Sequence, residues 1–195
     1  EVFAEGVPRR AVYLSSIVDL GRELNFGRLH WTSTPLRRVG GVEVAAPEAA
    51  VGIKVEVRTG RDVDPAVYHE FTNTGREGVV PRARYEELKP RQGRDPKPGV
   101  RASVGYDSDN WTFWSVPFRQ SGRPLGLRSG SHLQITLTLE SDEFDAWVRL
   151  DSLWIETAPL LAATVVGEVA RLDDPRPERG FTEVALGESA DFAYD

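Results

Sequence analysis

Two stretches of the sequence alternate between apolar and polar residues, and this alternation limits the possible folds more than any other feature. Residues 53–58 read Ile-Lys-Val-Glu-Val-Arg, and residues 133–139 read Leu-Gln-Ile-Thr-Leu-Thr-Leu. Successive side chains of a β-strand point to opposite faces, so each stretch predicts a strand with one buried face. We expect the Leu and Ile side chains of residues 133–139 to be buried, and Gln134, Thr136 and Thr138 to be far more exposed.

Further strand-like runs follow at short intervals along the chain. One contains Val148 and Leu150, and both are expected in the core. The others cover residues 11–19, 24–31, 67–72, 100–106, 111–118 and 164–170. Turn-forming residues separate the runs, as at Asp19-Leu20-Gly21. Many short strands with frequent turns favour an all-β, antiparallel jelly-roll sandwich with very little helix. One short helix is predicted at residues 81–88, because Pro81 suits a first turn and Pro90 stops it.

The composition changes near residue 171, which divides the chain into two parts. Residues 1–170 are predicted to form the jelly-roll domain, and residues 171–195 a Pro-containing linker with a terminal strand segment. The run Asp173-Asp174-Pro175-Arg176-Pro177 is typical of a stiff linker. Residues 181–194 have strand character but are too short to form a sheet alone. Three partners stay open for them: the same sandwich, a following domain, or another molecule.

The charge and the rare residue types exclude several classes of protein. The net charge is −6 and the pI is about 5.2, whereas nucleic-acid-binding domains usually carry a basic stripe and a high pI. No apolar run approaches the roughly 18–20 residues of a membrane-spanning helix. The chain has no Cys, which excludes thiolate and disulfide chemistry. It begins with Glu1 and has no Met, which predicts a processed, secreted chain or a piece of a longer protein.

Two segments carry the pattern of a known kind of strand pair. The first is Val55-Glu56-Val57-Arg58-Thr59-Gly60, followed by Asp64-Pro65-Ala66-Val67-Tyr68-His69-Glu70-Phe71. The second is residues 127–139, Leu-Arg-Ser-Gly-Ser-His-Leu-Gln-Ile-Thr-Leu-Thr-Leu. Together they resemble the discoidin-like, galactose-binding-like jelly rolls of large bacterial extracellular proteins. The chain departs from that family at Tyr68 and Phe71, where the family tends to carry Trp. The resemblance implies an extracellular or cell-surface location and a surface ligand such as a glycan.

No constellation of catalytic groups stands out, so the chain is predicted not to be an enzyme. Its three histidines, His30, His69 and His132, all lie on predicted strands. Residues 126–130 are similar to a nucleophile elbow, but the serine is one position late and no helix follows. A pair of glycosidase carboxylates stays open, because only the distance between the two carboxylates identifies it.

An acidic turn at Asp107-Ser108-Asp109-Asn110 is the best candidate for a metal site. Asp107, Asp109 and Asn110 offer hard oxygen ligands that suit a structural Ca²⁺, and calcium in such a loop is common in the family that the chain resembles. Asp and Asn also favour turns by bonding to their own backbone, so a turn without metal is the alternative.

Aromatic residues flank this turn and predict a ligand-binding surface. Tyr106, Trp111 and Trp114 are the candidates, because a flat ring stacks on the apolar face of a sugar. In a strand, Trp111 and Trp114 would point to opposite faces, so one of them is expected in the core and the other at the surface.

These observations predict a non-catalytic extracellular binding module for a carbohydrate or cell-surface polymer. The alternative is a structural subunit of an extracellular assembly, joined through its terminal strands by β-strand addition.

Overall fold

A computed structural model of the chain describes residues 6–93, 97–160, 169–172 and 191–194, and these residues form an all-β protein with very little helix. The elements are β1 (Arg10–Leu14), β2 (Val18–Val39), β3 (Val42–Ala45), β4 (Val51–Gly60), β5 (Ala66–Phe71), β6 (Glu77–Val80), α1 (Arg82–Glu87), β7 (Arg101–Tyr106), β8 (Arg123–Pro124), β9 (Gly130–Ser141), β10 (Ala146–Pro159), β11 (Val169–Arg171) and β12 (Phe192–Tyr194). The prediction of an antiparallel β-sandwich is confirmed. The chain divides into two compact units, Glu1–Pro159 and Leu160–Asp195.

The sandwich core lies between two parts of one seven-stranded sheet. In the first part, β9 pairs with β4 on one side and with β1 and the start of β2 on the other. In the second part, the rest of β2 pairs with β10. Side chains from both parts meet in the core, among them Leu29 of β2, Val55 of β4, Leu137 of β9 and Val148 of β10.

The turn predicted at Asp19-Leu20-Gly21 is wrong, because these residues lie within β2. Gly21 has a φ of 71°, and its N–H donates to the Asp19 carboxylate at 2.8 Å. The register between β2 and β9 shifts between Asp19 and Leu24, and from Leu24 onward β2 pairs with β10. Residues 19–21 therefore form an irregularity within one long strand, which pairs in the first part of the sheet at its start and in the second part from Leu24 onward.

The strand predicted at residues 111–118 is not a regular strand, although the segment lies along the edge of β4. The backbone N–H groups of Thr112 and Ser115 donate to the carbonyls of Thr59 and Val57, both at 2.9 Å. In return, the N–H of Val57 donates to Ser115 Oγ at 3.1 Å and the N–H of Thr59 donates to Thr112 Oγ1 at 3.0 Å. At these two positions a side-chain hydroxyl replaces a backbone carbonyl as acceptor, whereas the Val55 N–H donates to the Phe118 carbonyl; this edge of β4 is thus covered.

The alternation in β9 predicts its buried face correctly but its other face wrongly. Leu133 and Leu137 are buried with Val148, and Ile135, Leu139 and Leu150 pack against the core partly buried. However, Gln134 is only 7% exposed and Thr138 only 2%. Gln134 lies beneath Arg58, to which it is hydrogen-bonded, and the Lys54–Glu140 ion pair lies beside Thr138. The longer side chains of the outer face therefore cover the shorter ones.

A smaller sheet connects the helix to the acidic turn. β5 pairs with β6 and with β7, and β7 ends at Tyr106, immediately before the turn. The helix predicted at residues 81–88 is confirmed, with Pro81 as N-cap and Leu88 as C-cap of α1. Within the described ranges, no helix has the length and apolar character to cross a membrane.

In the second unit, β11 and β12 pair with each other. The register places Val169 opposite Tyr194 and Arg171 opposite Phe192. The predicted linker at residues 173–177 and the terminal residues 181–190 lie outside the described residues. The end of the terminal segment thus has a partner in its own chain, and pairing of residues 181–194 with another molecule stays a prediction.

Candidate functional site

Arg58 lies at the centre of the region that the sequence singles out. Its Nε and one terminal nitrogen donate to Gln134 Oε1 at 3.0 and 2.5 Å. Its guanidinium carbon lies 4.6 Å from the ring centre of Trp114, 5.3 Å from that of Trp111 and 5.5 Å from that of Tyr106. Each ring attracts the cation through its electron-rich face. We refer to Arg58, Tyr106, Trp111 and Trp114 as the arginine–aromatic cluster.

Trp111 is the buried member of this cluster. It is 1% exposed, and its Nε1 donates to Asp62 Oδ1 at 2.8 Å. Its ring lies so close to Gly60 that a Cβ at that position would overlap the indole. Glycine at position 60 is therefore what allows the indole to lie flat on β4, and the Trp111 ring is not available to a ligand.

Tyr106 and Trp114 are half-buried. The Tyr106 hydroxyl donates to the Thr112 carbonyl, and its ring stacks on Phe113 with the ring centres 5.1 Å apart. The expectation that Trp111 and Trp114 point to opposite faces is wrong: the segment is not a regular strand, and both rings contact Arg58. Phe113, which is 71% exposed, is the ring that faces solvent. A ligand at Tyr106 and Trp114 stays a prediction.

The acidic turn uses its carboxylate to hold its own backbone. Asp107 Oδ1 accepts the backbone N–H groups of Asp109 and Asn110 at 3.2 and 3.1 Å, and Asp107 Oδ2 accepts the Asn110 side-chain amide at 2.9 Å. The Asn110 side chain, followed by the two backbone donors, holds the pKa of Asp107 below its usual value despite partial burial. The Asp109 carbonyl accepts a bond from Arg128 at 3.0 Å. This is the pattern of an Asx turn.

A calcium ion would have to compete with these bonds for the Asp107 oxygens. In the part of the chain that the structure describes, no three His, Asp or Glu side chains gather so as to hold a metal ion. The geometry of Asp107, Asp109 and Asn110 favours the turn without metal, and calcium at this turn stays a prediction.

A cavity of about 560 Å³ opens at the opposite end of the β4–β9 pair. This end is seven residues of β9 away from Gln134, which is roughly 23 Å along a strand. Three segments surround the cavity: the stretch before β1, the β2–β3 turn and the β9–β10 turn. Its lining residues are Gly6, Val7, Arg38, Gly40, Gly41, Phe144, Asp145 and Trp147. We refer to it as the hairpin cavity.

Three glycines line the hairpin cavity. Gly40 and Gly41 form the β2–β3 turn with φ values of 58° and 83°, a two-residue turn that favours glycine at both positions. Gly6 has a φ of 105°, and a Cβ there would be 2.5 Å from Phe144 Cε2. The wall of the cavity is thus partly bare backbone. A Cβ at Gly6 would displace Phe144, whereas a Cβ at Gly40 or Gly41 would meet no atom within 4 Å.

Hydrogen bonds and ion pairs with neighbouring residues fix the polar groups of the hairpin cavity. Arg37 donates to Asp145 Oδ1 at 3.2 Å and pairs with Glu143, and the Arg38 N–H donates to the Asp145 carbonyl at 2.9 Å. The Arg38 guanidinium lies 5.5 Å from the ring centre of Trp147. Arg38 therefore contributes donors, and Asp145 Oδ2 an acceptor, beside the rings of Trp147 and Phe144.

Sequence reasoning missed the hairpin cavity. Its signal is the sequence Phe144-Asp145-Ala146-Trp147 at the end of a predicted strand, opposite the Val39-Gly40-Gly41 turn. Aromatic residues in a turn are unusual, because turns favour Gly, Pro, Asn, Asp and Ser. The two turns are about 100 residues apart in the chain, and only the register of β2 with β10, which pairs Arg37 with Ala146, brings them together.

Comparison with the models of known protein families, with curated proteins and with solved structures finds no match to this chain. The resemblance to discoidin-like domains therefore stays a prediction, and the function rests on the geometry of the chain itself.

Proposed function

We propose that this protein is a non-catalytic, extracellular carbohydrate-binding module that holds a sugar ring of a surface polymer in the hairpin cavity. One observation carries the proposal: two aromatic rings, a guanidinium and a carboxylate line a single open cavity of about 560 Å³. This volume lies within the range of small-molecule sites, which are mostly apolar with a few fixed polar groups.

The chemistry of the lining matches that of a pyranose. The Phe144 ring is 63% exposed and offers a flat apolar surface to the C–H groups of one sugar face. Arg38 donates to hydroxyl oxygens, and Asp145 accepts from hydroxyl protons. A donor and an acceptor side by side suit neighbouring hydroxyl groups, each of which both donates and accepts.

The hairpin cavity fits this role better than the arginine–aromatic cluster. In the cluster, Trp111 is buried, the Tyr106 hydroxyl already has a partner, and Arg58 is held by Gln134. In the cavity, neither the Arg38 guanidinium nor the Trp147 indole N–H makes a hydrogen bond within the described residues. These groups can bind a ligand without breaking a hydrogen bond of the folded chain.

Titration with soluble polysaccharides and oligosaccharides, followed by calorimetry and by ligand-detected NMR, tests the proposal. We expect dissociation constants between about 1 µM and 1 mM, because a shallow site buries little area. Phe144→Ala should abolish detectable binding. Phe113→Ala is the matched control, since it removes an equally exposed phenylalanine at the other end of the sheet. Loss of binding in Phe113→Ala with full binding in Phe144→Ala would move the site to the arginine–aromatic cluster.

The absence of catalysis and the location need separate measurements. Incubation of the protein with each bound polysaccharide should release no new reducing ends, and a steady release would make the chain a glycosidase. Fractionation of the native source should place the protein in the medium or at the cell surface. Its presence inside the cell would contradict the proposed location, which rests on the resemblance in residues 55–71 and 127–139.

A further inference from the structure

β1 is an open edge of the sandwich, and all five of its residues are exposed. Val12, Tyr13 and Leu14 are 55%, 63% and 55% exposed, which is unusual for three apolar residues in succession on a strand. β1 pairs with β9 on one side, and within the described residues no strand pairs with its other side. An exposed apolar edge strand is a template for pairing with another chain.

The register shows which backbone groups point outward. The Ser15 N–H donates to the Ile135 carbonyl and the Ser141 N–H donates to the Arg9 carbonyl, so the odd-numbered residues of β1 bond to β9. Hydrogen-bonding groups alternate sides along an antiparallel strand. The N–H and C=O groups of Arg10, Val12 and Leu14 therefore point away from the sheet.

We propose that two copies of this protein pair through β1 in an antiparallel, two-fold arrangement centred on Val12. In this register, Val12 of one copy lies opposite Val12 of the second, and Arg10 lies opposite Leu14. The three outward-pointing residues of each strand then exchange six hydrogen bonds with the second copy, two for each opposed pair.

The side chains of β1 are complementary to themselves in this register. Ala11 lies opposite Tyr13 of the second copy, so a small side chain faces a large one. The arginines lie at the outer ends of the paired strands, opposite uncharged residues, and no like charges face each other directly. An isologous contact of this kind needs one surface to fit a second copy of itself.

The second copy also covers an opening in the sandwich. Ala11 pairs with Leu139 and Tyr13 with Leu137, so both share the face of β9 that points to the core. Beside them lies a cleft of about 350 Å³ whose lining includes Ala11, Leu139 and Val148. The Tyr13 side chain of a second copy, placed opposite Ala11, lies over this cleft.

Sedimentation velocity over a range of protein concentrations, with charge-swap variants at position 12, tests the proposal. The wild-type chain should form dimers. Val12→Lys and Val12→Glu should each be monomeric, because like charges then face each other, and mixing the two variants should restore dimers. Val42→Lys is the matched control, since Val42 is an equally exposed valine, 62% exposed, in strand β3. It should dimerise like the wild type.

A cysteine variant gives a second, independent measurement. The chain has no Cys, and opposed residues in a hydrogen-bonded pair have Cα atoms about 5.5 Å apart, which suits a disulfide. Val12→Cys should oxidise to a covalent dimer far faster than Val42→Cys. Three outcomes would overturn the proposal. The wild-type chain stays monomeric at its highest soluble concentration, the two cysteine variants cross-link equally, or mixing the two charged variants does not restore dimers. Circular dichroism of each variant separates loss of pairing from loss of folding, and if the charged variants do not fold, the cysteine pair decides.

Discussion

The two ends of the β4–β9 pair use the same residue types with different results. Near Gln134, the guanidinium of Arg58 lies among three rings, of which Trp111 is buried and the other two are half-buried. Near Ser141, the guanidinium of Arg38 lies against the single ring of Trp147, beside an open cavity. An arginine against aromatic rings is therefore not a sign of function by itself.

The two ends differ in how deeply their aromatic rings are buried. At the first end, Gly60 lies under the Trp111 ring, and the missing side chain lets the ring pack closely. At the second end, Gly40 and Gly41 lie in a turn where an added Cβ would meet no atom within 4 Å, and the missing side chains leave space. Trp111 is buried at the first end, which we call the closed end. Phe144 is exposed at the second end, which we call the open end, although Gly6 lies against its ring.

The largest expected effect is that of Trp111→Ala. Removing a fully buried tryptophan costs about 3–5 kcal/mol of unfolding free energy, which equilibrium unfolding in urea measures. Trp147→Ala, at the open end, should cost clearly less, because Trp147 is only half-buried, while abolishing sugar binding. If Trp147→Ala is the more destabilising of the two, the contrast between a closed and an open end is wrong.

Ser115→Ala tests how the closed end is held along the edge of β4. The Val57 N–H, in a residue that is 0% exposed, would lose its acceptor, and an unsatisfied buried donor costs about 1–3 kcal/mol. Ser108→Ala, in the exposed acidic turn, is the control and should leave the unfolding free energy nearly unchanged. Equal stability of the two variants would show that the Ser115 hydroxyl does not hold this edge.

Exchanging arginine for lysine at each end sharpens the comparison. Arg58→Lys loses the two hydrogen bonds from the guanidinium to Gln134 Oε1, because lysine lacks the planar guanidinium. This should cost about 1 kcal/mol of unfolding free energy. Arg38→Lys should have little effect on stability but should weaken sugar binding several-fold. Calorimetry and urea unfolding on both variants measure the two effects, and a reversed result would exchange the roles of the two ends.

A pH dependence of stability is expected from the closed end. The hydrogen bonds from Asn110 and the backbone lower the pKa of Asp107 in the folded chain, so their contribution is complete above the unfolded pKa of about 3.9 and is lost as the pH falls through the lower, folded value. As the pH falls from 5 to below the folded pKa of Asp107, the Asp107→Asn variant should therefore lose less unfolding free energy than the wild type. Identical acid profiles would mean that this carboxylate does not contribute.

The smallest expected effect is that of calcium. Because the Asp107 oxygens already accept three bonds, neither millimolar Ca²⁺ nor EDTA should move the thermal midpoint. A midpoint that rises with calcium concentration, as binding to the folded state requires, would establish the site predicted from Asp107, Asp109 and Asn110.

The sequence predicts the strands well and the site poorly, for a physical reason. The alternation of residues 133–139 reports which side chains point to the core, because that depends on the backbone of one strand. The burial of Gln134 depends on Arg58 and on rings that come from a distant segment. The hairpin cavity is more difficult to predict from the sequence, because it lies between turns that are distant in the chain. Only the pairing of β2 with β10 brings these turns together.

Residues 111–118 cover one edge of β4, partly through the hydroxyls of Thr112 and Ser115. This affects the order in which the chain can fold during synthesis. The covering segment, residues 111–118, leaves the ribosome before β9, the sheet partner of β4. Thr112 and Ser115 can therefore engage one edge of the apolar strand while its other edge still waits for its partner. The nascent strand then presents one open edge instead of two, and an open strand edge is a template for pairing with another chain.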